Sequence, residues 1–109
     1  MSRAKGNEAE VLTCKELQKE GYEIITCNFY TRFGEIDIIA QKAGVYHFIE
    51  VKSGLDFERA VQNLTPKKMQ RILKSVEVYL KQHSSIGDYQ IDAAIVYEGR
   101  YELIESITL

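Results

Sequence analysis

Asp37, Glu50 and Lys52 are the residues whose types and spacing bear most directly on chemistry. Asp37 stands in "GEIDIIAQK", and Glu50 and Lys52 stand in "HFIEVK". The apolar residues around them predict two strands joined by a turn containing Gly44. If residues 42 to 45 form the turn, position 41 faces 46. Asp37 then faces Glu50, Glu35 faces Lys52, Ile36 faces Val51 and Ile38 faces Ile49. This register puts polar residues on one face and aliphatic residues on the other, and a one-residue slip would mix them. Opposed β-carbons lie about 5 Å apart. Two carboxylates at that range repel by about 3 kcal/mol at an effective dielectric constant of about 20. A shared proton, a nearby cationic side chain or a divalent cation would offset this. Lys52 alone could partly neutralise the pair, which would make the hairpin face structural. Alternatively, a hard cation such as Mg²⁺ or Mn²⁺ takes oxygen ligands. A lysine beside that cation suits phosphodiester hydrolysis, where it can hold water or stabilise transition-state charge.

The elements that must position these groups are legible as patterns. Residues 6 to 20 predict a helix ended by Gly21, with Val11, Cys14 and Leu17 in one sector and Ala9 at its edge. Glu10 falls between Leu17 and Cys14, so its carboxylate points inward and needs a partner. Glu8 falls with Lys15 and Lys19 on a solvated face. Strands are expected at 22–30, 35–41 and 45–53. "LDFERAVQNL" connects them onward, with one short helix. Thr65-Pro66 opens a second long helix, Thr as N-cap and Pro at the first position. Met69, Ile72, Leu73, Val76, Tyr79 and Leu80 give it an apolar stripe to about residue 82. "QIDAAIVY" is nearly all apolar and predicts a strand covered on both faces, and "GRYELIESITL" adds a turn and a last strand. The expected class is α/β, a single mixed sheet in the order α-β-β-β-α-β-β, forming one domain over residues 1–109.

A net charge of −2 argues against a protein that grips nucleic acid over a broad surface, but it leaves room for a local basic face. Lys67, Arg71, Lys74 and Lys81 fall opposite the stripe of the second long helix, as a phosphate-contacting row or as a solvated face. Lys68 borders the stripe and can lean toward the sheet, and Arg3 and Lys5 would extend a basic edge. Cys14 and Cys27 make neither a disulfide framework nor a metal-binding pair, and are expected as reduced core filling. His47 and His83 lack metal-ligand spacing. Tyr30, Phe33 and Tyr46 are expected to pack at the core or rim, with base stacking as the alternative. "MSRAKGNEAE" lacks the apolar segment of a signal peptide, and no apolar run is long enough to span a bilayer. The expected location is the cytoplasm, with no membrane partner.

Several segments, in order along nearly the whole chain, add a resemblance: "GNEAE", "LQKEGY", "CNFY", "GEIDIIA", "FIEVK", "TPKK" and "IDAA". With these the sequence resembles the YraN-like bacterial family. Through it, the sequence is similar to the PD-(D/E)xK nuclease superfamily and the archaeal-type Holliday-junction resolvases. The resemblance implies a restriction-endonuclease-like sheet and a Mg²⁺- or Mn²⁺-dependent endonuclease acting on nucleic acid, DNA before RNA, including branched DNA. It implies a cation bound by Asp37, Glu50 and the Val51 carbonyl, with Glu10 completing the site. It also implies Lys52 as the active-site lysine, Lys68 as a basic position, and a homodimer. Two positions depart from the family pattern. Gly54 stands where an Arg is usual, and Gln90-Ile91-Asp92 stands where Arg-Phe-Asp is usual. With two basic residues missing, the alternative is a nucleic-acid- or protein-binding module on a nuclease fold with little or no cleavage. Asp92 is expected to brace structure.

Overall fold

The computed structural model describes residues 3–107, with side chains from residue 8 onward. The elements are α1 (Arg3–Lys19), β1 (Glu23–Thr31), β2 (Gly34–Lys42), β3 (Val45–Ser53), α2 (Phe57–Gln62), α3 (Pro66–Gln82), β4 (Tyr89–Tyr97) and β5 (Arg100–Ile104). They form one five-stranded mixed sheet in the order β1-β2-β3-β4-β5. Only β3 and β4 run parallel among these neighbours, and the crossover between them holds α2 and α3. α1 starts three residues earlier than its apolar pattern predicts. Among the described residues, no helix is long and apolar enough to cross a membrane.

Local chemistry fixes these elements. The Thr65 hydroxyl accepts from the Lys68 amide and Pro66 opens α3, as the Thr-Pro pair predicts. Asp56 caps α2 by accepting from the Arg59 amide at 2.8 Å. Ala43 and Gly44 both adopt positive φ, 51° and 81°, between the paired Lys42 and Val45. Such a two-residue turn matches the twist of the flanking strands and sets the β2–β3 register.

Helices cover both sheet faces. On one, Leu17 of α1 packs with Tyr22, Ile38, Ala40, Ile49 and Ala94. On the other, Met69, Ile72, Val76 and Tyr79 of α3 pack with Ile36, Ile39, Phe48 and Ile91. The expected division of the hairpin into a polar and an aliphatic face therefore does not hold. Ile39 and Phe48 are fully buried under α3, and polar residues stand at both ends, with Gln41, Lys42 and buried His47 near the turn and Glu35, Asp37, Glu50 and Lys52 far from it. β4 is buried from Ile91 to Val96, as its continuous apolar run predicts.

Two smaller expectations are also corrected. The buried seam of α1 is Ala9, Thr13 and Leu17, four residues apart, and Val11 is 54% exposed. Thr13 belongs there because its hydroxyl donates to the Ala9 carbonyl at 2.8 Å, which removes the cost of burying it. Cys27 is exposed and does not fill core, whereas Cys14, half-buried, packs against the Leu17 cluster.

The register supplies the remaining feature. β2 and β3 pair from Lys42/Val45 to Ile38/Ile49, the predicted alignment. Beyond that the ladder gives way: the Val51 amide donates to Asp37 Oδ2 at 2.7 Å. The predicted Ile36–Val51 pair does not form, because Ile36 joins Ile39 under α3 while Val51 lies on the α1 face. On the other side, Cys27/Ile38 and Phe29/Ile36 flank a break where Asn28 takes φ of 55°. The sheet is thus locally opened around Asp37.

Candidate metal centre

Asp37 sits in this opening, 6% exposed, with Glu50 of β3 beside it at 9%. Burial first, then the Glu50 charge, pushes the Asp37 carboxyl up to about 9. The Val51 amide opposes this, and Glu10 adds to it. A carboxyl in that state holds a proton at neutral pH unless a cation replaces it.

Carboxylate oxygens of Glu10, Glu35 and Asp37 lie within 4.8 Å of one another. Glu10 reaches the site from α1, as its inward sector predicts. Glu35, expected opposite Lys52, instead joins this acidic group. The Asn28 amide donates to Glu10 Oε1 at 3.0 Å and to Glu35 Oε2 at 3.2 Å, orienting both. Hairpin geometry did not foresee the role of Asn28. The available signal was a polar residue of a type depleted in strands, set inside an apolar strand.

Glu50 is divided between two environments. Its Oε2 meets Lys52 Nζ at 3.0 Å, the ion pair that neighbouring positions on one face predict. Its Oε1 is buried and, among the described residues, has no hydrogen-bond donor apart from a protonated Asp37. An orphaned carboxylate oxygen beside a second buried carboxylate and two further acids fits a hard cation. The donor set is all oxygen, which suits Mg²⁺ or Mn²⁺.

The acids line a cleft of about 470 Å³ whose other walls include Val51, Lys52, Lys68 and Arg71. Lys68 is among the residues lining the cleft. Arg71, one of the row opposite the α3 stripe, also lines it, next to Gly34. Lys67 and Lys74 are exposed and lie outside the cleft. Lys74 instead sits 5.4 Å from the Phe33 ring centroid, with Arg32 on the same ring at 4.7 Å. Phe33 is therefore packed at the rim. The side chains of Arg3 and Lys5 lie outside the described residues.

Both departures from the family pattern have a local cause. A β-carbon at Gly54 would lie 2.6 Å from the Ala60 backbone nitrogen, so α2 packs where an Arg side chain would begin. Gln90 donates to Asp92 Oδ1 at 2.9 Å and to Glu105 Oε1 at 3.0 Å. Asp92 also meets His47 Nδ1 at 2.6 Å and accepts from the Ser106 amide at 3.0 Å. Both of its oxygens are engaged, in keeping with a bracing role.

Over residues 9–104 the chain matches the family described as "Uncharacterised protein family UPF0102". It is 55% identical over 109 residues, the whole of both chains, to a UPF0102 protein of Wolinella succinogenes. It is 52% identical, again over the whole of both chains, to a UPF0102 protein of Sulfurimonas denitrificans. A UPF0102 protein of Helicobacter pylori is 48% identical over 106 residues, covering 97% of this chain and 92% of that one. The chain therefore belongs to the UPF0102 family, the YraN-like family that its "GEID" and "FIEVK" segments resemble.

Proposed function

We propose that this chain is a divalent-cation-dependent nuclease-type domain that hydrolyses phosphodiester bonds in nucleic acid, DNA before RNA. Asp37, Glu50, Glu10 and the Val51 carbonyl would hold Mg²⁺ or Mn²⁺, with Glu35 close by. The observation that supports this most is the cluster of Glu10, Glu35 and Asp37 carboxylate oxygens, with the orphaned Glu50 oxygen beside Asp37. When bound, such a cation supplies Lewis-acid polarisation of a phosphoryl oxygen and activation of water.

The chain's own residues have distinct tasks in this reading. The Val51 amide fixes one Asp37 oxygen, and Asn28 fixes Glu10 and Glu35, so the acids are held before any ligand arrives. Lys52 places a positive charge at the cleft wall, where it can stabilise charge growing on a transferring phosphoryl group. Lys68 and Arg71 hold the phosphate backbone at the rim. Lys67 and Lys74, outside the cleft, would contact flanking phosphates. The cleft acids otherwise repel a polyanion, so substrate entry depends on the cation that neutralises them.

The test is cleavage of branched, single-stranded and duplex DNA, and of RNA, in Mn²⁺, with Asp37→Ala as control. Product from the wild type alone supports the proposal. Equal product from both proteins removes Asp37 from the chemistry.

The Lys52–Glu50 ion pair and the absence of the two family arginines favour a second reading, a binding module with little or no cleavage. It is supported if no substrate is cut although Mn²⁺ binds normally.

A further inference from the structure

We propose that Cys14 and Cys27 form a reversible intramolecular disulfide that clamps α1 to β1. The two thiols come from different elements, thirteen residues apart in sequence, yet their sulfurs are 3.8 Å apart. A disulfide bond is about 2.05 Å long, so closure asks for less than about 2 Å of movement. Side-chain rotation and a small helix adjustment supply this. The pair is also accessible: Cys27 is exposed and Cys14 half-buried.

The oxidant class is a small-molecule disulfide. The exposed Cys27 loses its proton to water, and its thiolate attacks one sulfur of that disulfide. A mixed disulfide forms and one small thiolate leaves. Cys14 then loses its proton and attacks Cys27 Sγ, forming the Cys14–Cys27 bond and expelling the second small thiolate. Two protein thiols are oxidised by two electrons, and one small disulfide is reduced to two thiols. Burial first, then the neighbouring Cys27, pushes the Cys14 thiol up to about 12, which suits it to the second step rather than the first.

The position of the pair gives the clamp a consequence. Cys14 lies one helical turn beyond Glu10 on α1, and Cys27 immediately precedes Asn28, whose amide holds Glu10. The bond would tie together the two elements that present that contact. This consequence for the acids rests on the proposed function, whereas the disulfide itself does not.

The experiment treats the full chain with excess oxidised glutathione and reads intact mass, thiol alkylation, a non-reducing gel and thermal unfolding. No cation and no nuclease substrate is present, so failure here is distinct from failure of the metal site. The expected product is lighter than the reduced chain by two hydrogens, retains no glutathione and has both thiols blocked to alkylation. Its Tm is higher by about 5 °C or more, because the cross-link restricts the unfolded chain. Dithiothreitol reverses every change. Cys14→Ser should stop at one retained glutathione on Cys27. A wild-type chain that keeps a glutathione adduct while Cys14 remains alkylatable would overturn the proposal. So would disulfide-linked dimers, or an oxidised chain with unchanged Tm.

Discussion

Asp92 and Asp37 are both buried in the same sheet, at 0% and 6% exposure, yet their surroundings differ in kind. Asp92 gives one oxygen to His47 and the other to Gln90 and the Ser106 amide. Asp37 gives one oxygen to the Val51 amide, and its near neighbours are carboxylates: Glu10, Glu35 and Glu50. Among the described residues, Glu50 Oε1 has no hydrogen-bond donor apart from a protonated Asp37. A buried acid with both oxygens engaged is a brace, because removing it strands its partners. A buried acid facing other acids is destabilised until something positive arrives, and that is the property of a binding site. The same residue type in one sheet thus meets two opposite environments, decided by which groups surround it.

The largest test of this contrast is Asp92→Ala. It leaves His47 buried with no counterpart and frees the Ser106 amide, and should cost about 3–5 kcal/mol in urea unfolding, with no rescue by Mn²⁺. A loss below about 1 kcal/mol would break the contrast from the bracing side.

Asn28→Ala comes next. It frees Glu10 and Glu35 from their shared donor and should weaken Mn²⁺ binding about 10–100-fold, with the fold retained by circular dichroism. Unchanged affinity would mean that these acids need no positioning.

The pH dependence of the metal-free protein sharpens the same point. Folded Asp37 keeps its proton up to about 9, whereas the unfolded chain releases it near 3.8. Between these values the folded state binds more protons, so stability falls as pH rises. Unfolding free energies from denaturant titrations at pH 5 and pH 8 should differ in that direction by more than about 1.4 kcal/mol, the equivalent of one pKa unit. Saturating Mn²⁺ should flatten the slope. A rise in metal-free stability from pH 5 to 8 would contradict the placement of Asp37.

The smallest expected effect is that of Glu50→Gln, which removes one charge from the acidic group while forfeiting the Lys52 ion pair. Relief of repulsion should stabilise the metal-free protein by about 1 kcal/mol near pH 8. A net loss would show that Lys52 alone balances the pair.

Much of this arrangement is legible in the sequence, and the rest is hidden for identifiable reasons. The β2–β3 alignment near the turn follows from the short Gly-containing turn, which brings Asp37 and Glu50 near one another although the ladder ends at Ile38/Ile49. The N-cap of α3 and the two-sided burial of β4 are equally local signals. The opening around Asp37 is not. It depends on a side chain taking a backbone amide fourteen residues away and on Asn28 adopting a left-handed conformation, neither of which alternation encodes. That opening is also why Ile36 turns to the α3 face and Glu35 joins the acids. The Asn28–Glu10 bond spans eighteen residues and exists only after α1 docks. Thr13 was hidden because an apolar projection gives no weight to a hydroxyl satisfied by its own helix. Gly54 was hidden because its requirement is set by the α2 backbone packed against it.

Calorimetric titration of the full chain with Mn²⁺, wild type against Asp37→Ala, addresses the central claim most directly. Saturable binding by the wild type that is lost in the variant is the predicted result. Equal heats from both proteins would contradict a cation site at Asp37 and leave the acidic group to be explained by Lys52 alone.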